Sequence, residues 1–137
     1  MIFLDTNVIS ESLRKAPGAA VMEWLVRNDA ELALPTVTIA EIAFGIAKIR
    51  SDRRAAGLEQ GLTAWRHRFA DRIFAFTEVA ALAYGDIMSA AQRQGRPMSA
   101  PDGMIAAIAH TNGGSLATRN IEDFATTGLK LVNPWDF

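Results

Sequence analysis

The sequence predicts an α/β layer fold built on a parallel sheet, and three observations carry that prediction. Short apolar runs bounded by turn-formers recur at Ile2–Leu4, Leu32–Leu34, Ile73–Phe76, Ser115–Thr118 and Leu129–Val132. Such runs read as buried strands. The segments between them carry helical spacing, and strands alternating with helices make a parallel sheet with right-handed crossovers. Finally, Asp5 ends the first run. In open α/β sheets ligands bind at that end of a strand.

The elements follow in order. After Asp5, the residues Val8, Ile9 and Leu13, with polar residues between them, predict a short amphipathic helix that Ala16-Pro17-Gly18 breaks. Ala19–Arg27 predicts a second helix with Val21, Trp24 and Leu25 on one face, closed by Asn28-Asp29. Leu32–Leu34 ends in Pro35. Thr38 with Glu41 three residues on has the form of a capping box, so a helix is expected from about Ile39 to Arg50. Ser51-Asp52 restarts a cap for a helix over Arg53–Ala70, which Gly57 and Gly61 weaken. Thr77-Glu78 opens a long Ala-rich helix that stops near Gly95. Arg96–Ala100 reads as a connector. Pro101-Asp102 then opens a helix with the body Met104–Ala109, terminated by Asn112-Gly113-Gly114. Arg119-Asn120 leads into a short helical turn through Phe124.

The totals bound the answer. A chain of 137 residues suggests one domain, 1–137, burying roughly two thirds of its unfolded surface. Half the residues are hydrophobic, which argues against disorder. With 14 Lys and Arg against 15 acids the net charge is −1, which is silent on a nucleic-acid partner. The absence of cysteine excludes disulfides and thiolate metal sites and fits a reducing compartment. No basic region precedes the first apolar run, so it does not read as a signal peptide. The longest stretch without a formal charge, Gly103–Thr118, contains Gly113-Gly114 and polar residues and is no membrane span. The expected location is the cytoplasm.

Four acids are the candidate chemistry: Asp5, Glu41, Asp102 and Asp123. Each has an ordinary alternative. Asp5 can cap the first helix, and Glu41 can return the capping box of Thr38. Asp102 suits a first turn, where the helix dipole favours negative charge. Asp123 stands three residues after Asn120, again a cap-and-return pattern. Taken together they say more. A parallel sheet brings the carboxyl ends of its strands to one edge, and so gathers acids up to 118 residues apart. Carboxylates crowded there raise one another's pKa, and a divalent cation removes the conflict. Oxygen ligands without Cys or a His pair select a hard ion, Mg²⁺ or Mn²⁺. Such ions suit phosphodiester hydrolysis.

Several segments match a known family. They are MIFLDTNVISE at the start, TVTIAEIAFGI at 36–46, RQGRPMSAPDGMIAAIA at 93–109, LATRNIEDF at 116–124 and LKLVNPW at 129–135. In this order and spacing the chain resembles a PIN-domain ribonuclease, of the VapC or FitB type found as toxins of bacterial toxin–antitoxin pairs. The resemblance implies a three-layer α/β/α fold with a central, mainly parallel sheet of about four to five strands. It implies that Asp5, Glu41, Asp102 and Asp123 are both the catalytic and the metal-site residues, holding Mg²⁺ or Mn²⁺. Thr6, Asn7, Thr118 and Asn120 are then supporting residues. It further implies an RNA substrate, a cognate antitoxin with a DNA-binding domain, a homodimer, and a higher heteromer with the antitoxin. Gly103 departs from the pattern, because relatives usually carry alanine after this aspartate. Glycine is expected to loosen the first helical turn by up to about 1 kcal/mol.

Other features compete for roles. Between Lys48 and Arg72 there are seven Lys or Arg residues and three acids, a stripe that either tracks an RNA backbone or is a solvated helical face. Arg14, Lys15, Arg93 and Arg96 are alternative phosphate contacts. His67 and His110 lack partners at ligand spacing and are not expected to bind metal. Trp24 and Trp65 are expected in a core or interface. Phe44, Ile46 and Ile49 suit either a buried helix or a face that meets a second copy or an antitoxin helix. Asp86 is expected at the surface. Two other functions stay in view: an aspartyl-phosphate phosphatase using Asp5, and a non-catalytic nucleic-acid or partner-binding module whose acids serve only as helix caps.

Overall fold

The apolar runs form five strands in a computed structural model that describes residues 1–137. They are β1 (Ile2–Leu4), β2 (Leu32–Pro35), β3 (Ile73–Phe74), β4 (Ser115–Ala117) and β5 (Leu131–Val132). All neighbours pair in parallel, in the order β3-β2-β1-β4-β5. The central strand is the first one in the chain. From it the chain winds outward through β2 to β3, then returns to the other side of β1 for β4 and β5. That reversal places a topological switch point between β1 and β4, where α/β sheets open a crevice at their carboxyl edge. The edge strands β3 and β5 are two residues each, shorter than their apolar runs suggest. Each pairs on one side only and is half-buried, so less of each run is drawn into the ladder.

Side chains alternate across the sheet with period two. Ile2, Leu4, Leu32, Leu34 and Ala117 face one core, and Phe3, Ala33 and Leu116 face the other. The first core is closed by α1 (Thr6–Ser12), α2 (Ala19–Arg27), α3 (Thr36–Lys48) and α4 (Arg54–Arg68), through Val8, Ile9, Trp24, Ile46 and Leu62. The second is closed by α5 (Glu78–Arg93) and α6 (Ala100–Thr111), through Ile87 and the run Ile105–Ala109. This is the three-layer α/β/α arrangement. None of the helices is long and apolar enough to cross a membrane.

Local differences from the sequence expectations have physical causes. The capping box of Thr38 and Glu41 does not form. α3 starts at Thr36, immediately after Pro35. Thr38 is therefore already inside the helix and buried, and its hydroxyl donates to the Leu4 carbonyl at 2.9 Å. Asn120 makes no side-chain cap to the 3₁₀ turn Ile121–Phe124, whose closure comes from the Asp123 amide donating to the Asn120 carbonyl at 3.0 Å. α6 begins before Pro101, because Ser99 caps it by accepting from the Asp102 amide at 3.3 Å. Gly103 stands in the first turn of that helix. It is buried, and a Cβ placed there would meet the Met88 sulfur and stand 2.9 Å from Tyr84 Cε2. Glycine here lets α5 and α6 approach each other.

The competing features also resolve. Trp24 is core. Trp65 is partly buried, stacks on Phe69 and donates to Ser12 Oγ at 3.0 Å. Ile46 is buried and Ile49 packs on the same core, whereas Phe44 is 65% exposed. His67, Asp86 and His110 lie on the surface. Within the basic stripe, Arg54, Arg68 and Arg72 pair with Asp52, Asp29 and Asp71. Lys48 sits over the Phe44 ring. Much of the stripe's charge is thus already engaged at a solvated face.

Candidate active site

Asp5 leaves β1 with its amide donating to the Ala117 carbonyl at 3.0 Å, which continues the ladder to β4. Its carboxylate is thereby delivered into the switch-point crevice, where it is only 4% exposed. Oδ1 accepts from the Thr6 amide at 2.8 Å and so caps α1. Oδ2 accepts from Thr118 Oγ1 at 2.8 Å and from Asn7 Nδ2 at 3.3 Å. Asn7 Oδ1 accepts from the Arg119 amide at 3.3 Å, and Thr118 Oγ1 accepts from the Asn120 amide at 3.0 Å. The loops after β1 and β4 are laced together around one carboxylate.

Glu41 reaches the same edge from α3. Thr38 pins the first turn of that helix to the end of β1, and Glu41 lies three residues further along, close to one turn. Its Oε1 accepts from Thr6 Oγ1 at 2.5 Å. Asp102 arrives from the opposite layer, half-buried in the first turn of α6. Asp123 is exposed on the 3₁₀ turn after β4. Arg96 steadies that turn by donating to the Glu122 carbonyl at 3.2 Å and to Glu122 Oε2 at 2.9 Å.

The acids share one electrostatic field. Burial holds the Asp5 carboxyl above its ordinary range against the opposing bonds from Thr118 and Thr6, and the charges of Glu41 and Asp123 add to the rise. Asp102 is pushed up to about 6, first by burial and then by the charge of Asp5. The Ser99 hydroxyl opposes this, while Glu41 and Asp123 reinforce it.

The four carboxylates nonetheless stop short of a ready-made cage. No three Asp, Glu, His or Cys side chains are gathered closely enough to hold an ion as they stand. Asp5 is turned to Thr118 and Glu41 to Thr6, so each takes a hydroxyl donor in preference to a like-charged neighbour. The donor set consists of carboxylate and hydroxyl oxygens alone, and two of its acids carry raised pKa values. Both properties fit a hard divalent cation.

Sequence reasoning missed Ser99, although the Ser99-x-x-Asp102 spacing has the capping-box form. It also missed Arg119. The Arg119 guanidinium lies 5.0 Å from the centre of the Trp135 ring, and no local pattern announces that contact. Glu11 was missed as well. It is buried on α1, accepts from the Gly18 amide at 2.8 Å and pairs with Arg14, so its carboxyl sits below its ordinary range. Its role is to fasten the turn between α1 and α2.

The PIN domain family model matches residues 2–128. The chain belongs to the PIN domain family. This PIN domain is 37% identical over 137 residues to the toxin FitB of Neisseria gonorrhoeae, with 98% of this chain and 99% of that one covered. It is 36% identical over 138 residues to the VapC ribonuclease Y4jK of Sinorhizobium fredii, with 99% of each covered. Among solved structures it superposes on FitAcB from Neisseria gonorrhoeae with a TM-score of 0.89 and 36% identity, covering all of both chains. In this PIN domain Asp5 lies at the switch point, and the charges of Glu41 and Asp123 bear on both Asp5 and Asp102.

Proposed function

We propose that this chain is the toxin of a toxin–antitoxin pair, a single 137-residue domain that hydrolyses RNA phosphodiester bonds with Mg²⁺ or Mn²⁺ bound. The observation that carries this is a buried carboxylate, Asp5, held at the carboxyl end of the central strand by Thr6, Asn7 and Thr118, with Asp102 in the first turn of α6 near enough for the Asp5 charge to raise its pKa. A protein keeps such repulsion where a cation resolves it. The relatives named as a ribonuclease and a toxin support the same assignment.

In this mechanism Asp5, Glu41, Asp102 and Asp123 would hold the ion. An ion held there would supply a nucleophilic water at neutral pH and would offset charge on the attacked phosphate. The chain's own task is orientation. Thr118 and Asn7 fix the Asp5 carboxylate, Thr6 fixes Glu41, and the Ser99 cap fixes the turn that carries Asp102. Asn120 holds the Thr118 hydroxyl in place through its amide. Hydrolysis by water leaves a 5′-phosphate and a 3′-hydroxyl. A 2′,3′-cyclic end would mean that the RNA's own hydroxyl attacked, and would overturn this mechanism.

The competing assignments lose support at particular atoms. If the acids were only caps, Glu41 and Asp123 would cap something, yet neither makes a side-chain cap. A phosphatase built on Asp5 wants a second acid two residues on. Asn7 stands there and donates to Asp5.

The partner surface lies elsewhere. A groove of about 490 Å³ between α2 and α4 is lined by Met22, Leu25, Val26, Trp65 and Phe69, with the Asp29–Arg68 pair at its edge. Its apolar floor and charged edge suit an amphipathic helix of an antitoxin, whose DNA-binding part would lie outside it. The exposed Phe44 on α3 and Val79 and Leu82 on α5 are apolar surface of the kind a second copy covers. They support a homodimer and, with antitoxin, a larger heteromer.

The test is pure protein with RNA and Mn²⁺, with and without chelator, beside Asp5→Asn. Cleavage that requires the ion and is lost in the variant supports the proposal. Full cleavage in chelator would remove the cation, and no cleavage by the wild type would remove the ribonuclease.

A further inference from the structure

Arg119 stands at the rim of the site. It follows Thr118, whose hydroxyl donates to Asp5 Oδ2 at 2.8 Å. Its own backbone amide donates to Asn7 Oδ1 at 3.3 Å, and Asn7 Nδ2 donates in turn to Asp5 Oδ2 at 3.3 Å. Two routes thus tie the Arg119 backbone to the buried carboxylate. Trp135 reaches the same edge of the sheet from β5. The Val132 carbonyl accepts from the Thr118 amide at 2.9 Å, and there the chain leaves β5 for the turn Pro134–Asp136.

The guanidinium of Arg119 is fixed but unspent. It lies 5.0 Å from the centre of the Trp135 ring. Trp135 packs on the core and its backbone amide donates to Asn133 Oδ1 at 2.9 Å, so the platform is held. Arg119 is exposed, joins none of the protein's ion pairs, and its guanidinium donates no hydrogen bond within the protein. Other arginines of this region are engaged. Arg96 is paired with Glu122 at 2.9 Å and Arg14 with Glu11 at 3.1 Å. Glu11 also feels the Arg119 charge, but its oxygens are already taken by Arg14 and the Gly18 amide. An arginine stacked through its face keeps its planar fork of N–H donors free, and that fork matches a phosphate bidentately. The stack also lowers the ordering cost that binding would otherwise carry.

We infer that Arg119 is a phosphate clamp for the RNA strand: its guanidinium donates to a backbone phosphate neighbouring the one at the acids, with Trp135 as the platform that aims it. An exposed guanidinium at a rim meets the charged outside of a strand, and such a contact carries no sequence information. The inference rests on the ribonuclease assignment and adds a residue that positions the substrate.

The experiment uses the full chain with Mn²⁺ and two single-stranded RNAs of different sequence. Cleavage is followed from low to high NaCl for wild type, Arg119→Gln, Arg119→Lys and Lys130→Gln. Lys130 is an exposed cation just before β5, at the edge of the sheet away from the acids. Arg119→Gln should raise KM about tenfold on both RNAs with kcat unchanged, because the contact is made equally in bound substrate and transition state. The slope of log(kcat/KM) against log[salt] should become shallower by about 0.7, the share of one single-strand phosphate. Arg119→Lys keeps the charge but not the planar fork, so it should restore the slope and only part of the KM. Lys130→Gln should match wild type. A wild-type KM and slope in Arg119→Gln, a loss confined to one RNA, a fall in kcat alone, or the same change in Lys130→Gln overturns the inference while leaving the ribonuclease intact. No cleavage of either RNA by wild type removes the ribonuclease, and the clamp with it.

Discussion

Thr118 Oγ1 lies 2.8 Å from Asp5 Oδ2, although 113 residues of chain separate them. The bond spans β1 and β4, the two strands that flank the switch point, and the same hydroxyl accepts from the Asn120 amide. Thr118→Val preserves shape and removes this donor, leaving Asp5 Oδ2 with only Asn7 at 3.3 Å. Loss of such an outer partner costs roughly 10- to 100-fold in metal affinity or activity. Calorimetry with Mn²⁺ and RNA-cleavage kinetics should both register a fall in that range. Wild-type values in both would show that Thr118 does not orient the acid.

Asp102→Asn should reduce cleavage to the level of chelator-treated wild type. The fold should survive with an equal or higher melting temperature, because a neutral amide escapes both the burial cost and the repulsion from Asp5. Circular dichroism and a cleavage assay on one preparation test this. Undiminished turnover would take Asp102 out of the metal site.

The raised carboxyls make the metal-free protein sensitive to pH in an unusual direction. In the unfolded chain Asp102 titrates near its ordinary 3.8, and in the folded chain at about 6. The folded state therefore binds the proton more tightly. The stability this contributes is complete below about pH 4 and is lost as pH rises through about 6. With chelator present, wild type should lose stability relative to Asp102→Asn across that window. Adding Mn²⁺ should stabilise wild type more above the window than below it, since protons and cation compete for the same oxygens. Parallel pH profiles for the two proteins would contradict this.

Gly103→Ala sets two effects against each other. Helix propensity favours alanine by about 1 kcal/mol, whereas overpacking typically costs about 1–3 kcal/mol. The Met88 sulfur is the end of a flexible chain and can move, but the Tyr84 ring at 2.9 Å cannot yield as easily. The variant should be destabilised by about 1 kcal/mol in a denaturant titration. Combined with Met88→Ala, it should cost less than the two single changes added together, because they share one contact. A variant more stable than wild type would show that the helices are free to separate.

Val26 is 76% exposed at the groove between α2 and α4. Val26→Glu places a charge where an apolar helix would seat, and should weaken the antitoxin complex at least tenfold, the equivalent of about 1.4 kcal/mol. RNA cleavage by the free protein should not change, because the groove is separate from the acids. Co-purification with the antitoxin and a cleavage assay distinguish the two effects. An intact complex would place the antitoxin elsewhere.

By itself the sequence determined the strands, most of the helices and the layer class. The short apolar run Ile2-Phe3-Leu4, helical spacing in Ala19–Arg27 and turn residues at Pro17-Gly18 are local properties, legible one window at a time. It also marked the four acids as candidates, because three of them follow strand-like runs or precede well-marked helices. Only the tertiary structure decided the strand order, and with it that Asp5 bonds Thr118. That order depends on how whole crossovers pack. Likewise Thr38 left its expected cap for the Leu4 carbonyl, and Gly103 proved to be a point of close approach to Met88 and Tyr84. The raised pKa values of Asp5 and Asp102 belong to the same class, since burial and charge proximity are sums over atoms that are distant in the chain and near in space.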